Sequence, residues 1–164
     1  TLIKEILENS NKYNCKITCP VDVVVSKNLK DVGKDKDIKE IDDDEMILDI
    51  GPKTISSIKK IINDSNTVIW NGPAGYFENS NFQNGTKQIL EIISQKTKND
   101  KIFSVAGGGE TVAAINKFKK LDSFTFVSTA GGAFLEHLEG KTLPGIKALN
   151  QNVWIKQYCF KNNW

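Results

Sequence analysis

Two kinds of apolar pattern alternate along this chain. Short continuous apolar runs predict five β-strands, at 16–25, 46–50, 67–70, 101–106 and 124–127. Apolar residues spaced three or four positions apart predict helices near the amino end, after Gly51-Pro52, after Gly85, after Gly109 and over 131–138. Proline suits the first helical position after Gly51, because its missing N–H has no helical partner there. Strands and helices therefore follow one another in alternation.

This alternation predicts an α/β fold: a doubly wound, Rossmann-like, three-layer domain with helices on both faces of a parallel sheet. The uninterrupted run Val23, Val24 and Val25 is typical of a parallel strand that is buried on both faces. Residues 26–45 are rich in charge and predict a solvated loop, whose acidic run at 42–45 could alternatively hold a cation. Ligands of such sheets bind at the carboxyl ends of the strands, so the turns there are the candidate sites.

The composition of the chain limits the classes of protein to which it can belong. With 164 residues the chain is long enough for one domain, and its net charge of +2 gives no basic surface for nucleic acid or membrane. The sequence has no apolar run of bilayer-spanning length and no signal-peptide layout, so we expect a cytoplasmic protein. Three cysteines and a single histidine, His137, favour reduced, buried thiols over a zinc site.

Glycine-rich turns follow two consecutive predicted strands, at 107–111 (GGGET) and 128–132 (STAGG). Glycine lets the backbone approach an anion closely, and the first N–H groups of the next helix supply donors at the positive end of its dipole. The alternative is a tight turn without a ligand. Neither common phosphate motif is present, because Val112 and Leu135 stand where a dinucleotide fingerprint and a Walker loop need glycine. The turns predict a ligand that carries several phosphates.

The most specific stretch is 70–78 (WNGPAGYFE), which resembles the signature of phosphoglycerate kinase. Further motifs of that family follow in order, at 20–25 (PVDVVV), 48–54 (LDIGPKT), 107–111, 128–132 and 135–145 (LEHLEGKTLPG). The resemblance covers residues 1–149 and corresponds to most of the carboxyl-terminal, nucleotide-binding lobe. It implies a domain incomplete at its amino end, followed by a divergent tail at 150–164.

The resemblance also implies the roles of individual residues. The adenine and ribose are expected against Gly51, Asn71, Gly72, Pro73 and Tyr76, with Glu78 accepting hydrogen bonds from the ribose hydroxyls. The segment Gly108, Gly109, Glu110 and Thr111 resembles the phosphate site, and Gly131 and Gly132 resemble the helix start that faces the transferring phosphoryl group.

The implied cofactor is ATP or ADP with Mg²⁺, and Glu110 is the implied metal ligand. The family normally has aspartate at this position. Glutamate is one methylene longer, so loop movement or a bridging water must compensate to keep the octahedral geometry that Mg²⁺ requires.

The implied activity is reversible phosphoryl transfer between 1,3-bisphosphoglycerate and ADP, which gives 3-phosphoglycerate and ATP in glycolysis. The lobe that binds 3-phosphoglycerate has no counterpart in this sequence, so that substrate is expected only if the lobe is supplied, and the chain alone is expected to be inactive. The family is typically monomeric. Two alternatives stay open: a catalytically inactive nucleotide-binding remnant, and a doubly wound interaction domain without a ligand.

Overall fold

The computed structural model describes residues 1–151. Of the tail predicted at 150–164, all but the first two residues lie outside this range, as does Cys159. The helices are α1 (Leu2–Lys12), α2 (Pro52–Asn63), α3 (Asn84–Lys98), α4 (Gly109–Lys117), α5 (Gly132–Leu138) and α6 (Pro144–Gln151). The strands are β1 (Asp22–Ser26), β2 (Lys34–Asp37), β3 (Met46–Ile50), β4 (Thr67–Asn71), β5 (Phe103–Gly107) and β6 (Phe126–Val127). The chain divides into two compact units: residues 1–61 with 74–89, and residues 62–73 with those from Leu90 onward.

The first unit contains a three-stranded antiparallel sheet in the order β2-β1-β3. Val23 lies opposite Lys36 on β2 and Ile50 on β3. The expectation that the Val23–25 run belongs to a parallel sheet is therefore wrong. An apolar run indicates that both faces of a strand are covered, and both faces of β1 are largely buried although its neighbours are antiparallel.

Strand β2 lies inside the stretch that the sequence predicts to be a loop, and that part of the prediction is wrong. Its residues alternate lysine and aspartate, as is common on edge strands, so no apolar run marks it. The acidic run beside it is engaged in ion pairs: Lys36 Nζ lies 2.8 Å from both Asp42 and Glu45, and Lys27 Nζ lies 2.6 Å from Asp44.

The second unit contains a parallel sheet in the order β4-β5-β6. Asn71 lies opposite Gly107, and Val105 lies opposite Phe126, so the predicted glycine-rich turns leave the same edge of the sheet. Trp70 is buried and stacks on Phe124, with 6.0 Å between the ring centroids. This unit, with its parallel strands and intervening helices, confirms the predicted α/β fold class.

Two smaller predictions differ from the structure. Cys15 and Cys19 are free but exposed, because the segment before β1 is not part of a strand. The spaced apolar residues that predict a helix after Gly51 are also not all buried, because Ile61 of α2 is 42% exposed whereas Ile55 and Ile62 are buried. Over residues 1–151 no helix is both long enough and apolar enough to cross a bilayer.

Candidate functional site

A cleft of about 200 Å³ opens at the carboxyl ends of the parallel strands in the second unit. The cleft lies between the turn that follows β5 and the turn that follows β6, and the backbone N–H of Ser128 extends the ladder by donating to the carbonyl of Ala106 at 2.8 Å. Its lining consists of Gly108, Gly109, Val112, Ser128, Thr129 and Gly131. The cleft is smaller than the 300–1,000 Å³ typical of drug-sized ligands, so its size suits part of a ligand rather than a whole nucleotide.

Gly108 occupies a position that glycine alone adopts easily. Its φ is +92°, and a methyl group there would lie 2.8 Å from Oδ1 of Asn71. The neighbouring Gly72, with φ +106°, donates its backbone N–H to Oγ1 of Thr111 at 2.6 Å. Thr111 is fully buried. The end of β4 and the start of α4 are therefore joined directly, which brings the predicted residues Asn71, Gly72, Gly108 and Thr111 together.

The start of α4 presents backbone donors to the cleft. Within the described chain no side chain caps this helix, and its first intrahelical bond runs from Val112 N–H to the carbonyl of Gly108 at 3.0 Å. A helix start leaves its first N–H groups without intrahelical partners, and the helix dipole adds positive potential there. Gly109 is exposed, and a methyl group on it would meet nothing within 4 Å. An anion can therefore approach this backbone closely.

Of the two predicted residues after β6, Gly131 lines the other side of the same cleft, and Gly132 follows it in the chain. Gly131 has φ +56° and precedes α5, and Gly132 is exposed with open space around its Cα. Gly107, at the end of β5, packs against the ring of Phe134 on α5, so closely that a methyl group there would lie 2.3 Å from the ring. This contact holds the two glycine-rich turns side by side.

Glu110 lies on the first turn of α4, with its side chain exposed. Among residues 1–151 no group of three or more His, Cys, Asp or Glu side chains is placed to hold a metal ion. Proteins commonly hold Mg²⁺ by one or two carboxylates together with the phosphates of a substrate, so a single carboxylate at a phosphate-sized cleft fits that donor set.

In the first unit, Gly51 lies against a buried carboxylate. Asp22 accepts hydrogen bonds from the backbone N–H groups of Lys53 at 2.8 Å and Thr54 at 2.7 Å, and from the Thr54 hydroxyl at 2.6 Å. A methyl group on Gly51 would lie 2.4 Å from this carboxylate. Burial alone would raise the pKa of Asp22, but these hydrogen bonds outweigh it and lower the pKa below the ordinary value. Asp22 thus holds the start of α2 and the predicted residue Gly51.

Tyr76 and Glu78 belong to a short turn in the same unit. The Tyr76 N–H donates to the carbonyl of Leu48 at 2.8 Å, and Phe77 between the two residues is buried. The side chains of Tyr76 and Glu78 are exposed. Gly51, Tyr76 and Glu78 therefore belong to the first unit, and the other predicted residues, including Pro73, belong to the second.

Sequence reasoning missed Asp22 and Asp49, although each carries a signal. Each is a single carboxylate in a run of β-branched or aliphatic residues, and each is at least 97% buried. Charged residues are almost never so deeply buried without partners. An acid within an apolar strand therefore indicates a fixed hydrogen-bonding role, and both residues hold helix starts.

The family of the chain is shown by comparison with known proteins. The family model described as phosphoglycerate kinase matches residues 1–141. A phosphoglycerate kinase of Francisella philomiragia is 46% identical over 154 residues, which cover 93% of this chain and 38% of that protein. One of Wolbachia pipientis is 46% identical over 149 residues, with 90% and 38% covered. This chain belongs to the phosphoglycerate kinase family, which confirms the resemblance inferred from the motifs.

Solved structures agree with this assignment. The structure of phosphoglycerate kinase from Coxiella burnetii matches with a TM-score of 0.80 and 38% identity, covering 88% of this chain and 37% of that one. The enzyme from Pyrococcus horikoshii matches with a TM-score of 0.74 and 30% identity, covering 90% and 36%. The chain spans about 38% of the length of the curated relatives it matches.

Proposed function

We propose that this chain is the nucleotide-binding part of a phosphoglycerate kinase. The proposed reaction is reversible phosphoryl transfer between 1,3-bisphosphoglycerate and ADP, giving 3-phosphoglycerate and ATP in glycolysis. The observation that carries the proposal is the cleft at Gly108 and Gly109, whose backbone is held by the bond between Gly72 and Thr111.

The cleft is proposed to take the phosphates of the nucleotide. Its lining glycines have no side chains to keep an anion away, and the first turn of α4 offers backbone N–H groups with the favourable end of the helix dipole. Gly131 and Gly132 are proposed to face the transferring phosphoryl group. Fixed donors of this kind stabilise charge in the transition state without a covalent intermediate.

The adenosine moiety is proposed to contact Tyr76 and Glu78 in the first unit, with Gly51 and the segment 71–73 also contributing. A carboxylate such as that of Glu78 accepts hydrogen bonds from two neighbouring ribose hydroxyls. The exposed ring of Tyr76 offers apolar surface to a base.

Glu110 is proposed to hold Mg²⁺ together with the nucleotide phosphates. The bound ion would neutralise phosphate charge during transfer. The position of Glu110 on the first turn of α4, beside the backbone donors, supports this role.

The binding site for 3-phosphoglycerate is proposed to lie in the part of the relatives that this chain does not span. We therefore expect the chain alone to bind nucleotide without turnover. The test is a coupled assay for ATP formation from 1,3-bisphosphoglycerate and ADP, on the chain alone and after adding the remaining part of a relative, produced separately. The proposal predicts turnover only in the mixture. Nucleotide binding without turnover in a mixture that forms a stable complex would instead favour a non-catalytic nucleotide-binding protein.

A further inference from the structure

The turn that carries Tyr76 and Glu78 is held in place by contacts at three consecutive residues. Ala74 N–H donates to Oγ1 of Thr86 at 3.0 Å, and Tyr76 N–H donates to the carbonyl of Leu48 at 2.8 Å. Between them, Gly75 lies directly against the carboxylate of Asp49, where a methyl group would come within 2.4 Å of Oδ1. The turn is therefore attached to the end of β3 and the start of α3, all within the first unit.

Asp49 makes the middle one of these attachments directly, through Gly75, and follows Leu48 on β3. Its carboxylate is 98% buried, and it accepts hydrogen bonds from the backbone N–H of Ile50 at 2.9 Å and of Gly85 at 2.8 Å. Gly85 lies as close to Oδ1 as Gly75 does, because a methyl group there would come within 2.3 Å. One carboxylate thus fixes the distance between the strand end, the helix start and the turn.

We infer that Asp49 is a positioning residue for nucleotide recognition: it holds the turn of residues 74–78 so that Tyr76 and Glu78 meet the adenosine moiety. This inference rests on the proposed function. Asp49 itself is buried and does not touch the ligand. It acts by placing the backbone of Gly75, one residue before Tyr76, at a fixed contact distance.

The chemistry requires a carboxylate rather than a group of similar shape. Asp49→Asn keeps the volume but replaces one acceptor oxygen by an NH₂ group, which then faces a backbone N–H of Ile50 or Gly85. Two donors facing each other lose the hydrogen bond and force local movement. That movement displaces either the start of α3 or the turn that packs on the same carboxylate.

The experiment compares two ligands in calorimetric titrations: ADP, which needs the adenosine contacts, and inorganic tripolyphosphate, which needs only the phosphate cleft. Asp49→Asn is expected to weaken ADP binding about tenfold and to change tripolyphosphate binding by less than about twofold. Gly75→Ala, which pushes a methyl group against the same carboxylate from the turn, is expected to show the same selective loss. Gly75→Ala also tests the inference if Asp49→Asn does not fold.

The matched control is Ile89→Ala, which removes a buried side chain of the same unit on α3. It is expected to lower the midpoint of thermal unfolding while leaving the ratio of the two affinities unchanged. An equal loss for both ligands in Asp49→Asn and Gly75→Ala, or no loss for ADP, would overturn the inference while leaving the proposed function standing. Wild-type protein that binds tripolyphosphate but not ADP would overturn both.

Discussion

The backbone N–H of Gly72 donates a hydrogen bond to the buried hydroxyl of Thr111, with 2.6 Å between nitrogen and oxygen. This bond joins the residue after β4 to the first turn of α4. It explains why a threonine, rather than a purely apolar residue, is fully buried at the start of that helix. The hydroxyl anchors the turn on one side of the cleft, and the glycine φ values at 72 and 108 let the backbone reach it.

Thr111→Val removes this acceptor while keeping the volume of the side chain. We expect the Gly72 amide to exchange with solvent about tenfold faster, since an unmade buried hydrogen bond costs roughly 1–3 kcal/mol. Hydrogen exchange followed by NMR measures this rate. The control Thr111→Ser keeps the hydroxyl and should retain the protection of Gly72. Equal protection in the valine and serine variants would contradict the role of this bond.

Substitution of the two glycines at the start of α4 separates folding from binding. Gly108→Ala places a side chain at φ +92° and 2.8 Å from Asn71 Oδ1, so we expect the free energy of unfolding to fall by about 2 kcal/mol. Gly109→Ala meets open space and should leave stability unchanged or raise it by up to about 1 kcal/mol. Urea unfolding measures both values.

Gly109→Ala also tests whether the cleft binds phosphate. If the N–H groups at the start of α4 contact phosphate, Gly109→Ala should weaken ADP binding although the protein is as stable as the wild type. Undiminished affinity in Gly109→Ala would show that no ligand approaches this backbone closely.

Glu110 should make ADP binding depend on Mg²⁺. In the wild type we expect tighter binding with Mg²⁺ than without it, and in Glu110→Gln the ratio of the two dissociation constants should approach one, because the amide is a much weaker ligand than a carboxylate. Glu110→Asp, which keeps the charge, is the control and should preserve the dependence. Isothermal calorimetry with and without Mg²⁺ measures the ratio. A wild-type ratio of one, or a Glu110→Gln variant with the wild-type ratio, would show that Glu110 does not bind the metal ion.

The two buried aspartates should titrate on opposite sides of the ordinary aspartate pKa of 3.8. Burial raises the pKa of Asp49 despite its backbone hydrogen bonds, whereas the Thr54 hydroxyl and two backbone N–H groups lower the pKa of Asp22 against the effect of burial. NMR titration of the carboxyl carbons measures both pKa values. A measured pKa of Asp49 at or below 3.8 would contradict the effect that burial has on this carboxyl group.

These shifts give pH dependences of opposite sign. Between 3.8 and the raised pKa of Asp49 the native state binds more protons than the unfolded state, so the Asp49 contribution to stability is full below 3.8 and is lost as pH rises through that raised value. For Asp22 the unfolded state binds more protons below 3.8, so its contribution is present above 3.8 and is lost as pH falls through the lowered pKa. Urea unfolding of the wild type against Asp49→Asn and Asp22→Asn separates the two contributions.

Much of the second unit could be predicted from the sequence because its signals are local. Apolar runs mark β4 and β5, spaced apolar residues mark α4 and the part of α3 from Leu90 onward, and glycines mark the turns after the strands. The turn conformations agree with this, since Gly108 and Gly131 both have positive φ. The six family motifs lie in order along the chain, so the family too could be inferred before the fold was known.

Other features depend on partners that are distant in sequence. The direction of β1 is set by pairing with β2 and β3, and the charged pattern of β2 gives no apolar signal for a strand. The hydrogen bond from Gly85 to Asp49 spans 36 residues, and the packing of Gly107 on Phe134 requires β5 and α5 to be placed first. Such contacts between distant residues form only when the strands and helices are assembled, so no single stretch of sequence reveals them.

The most direct test of the central claim is a calorimetric titration of the purified chain with ADP and Mg²⁺, beside a Glu78→Ala variant. Our account predicts saturable binding at one site per chain, weakened in the variant because the ribose loses a charged acceptor. Circular dichroism of both proteins supplies the control for folding. Absence of binding by a folded wild-type chain, or equal binding by Glu78→Ala, would contradict the proposal that this member of the phosphoglycerate kinase family holds a nucleotide at the predicted residues.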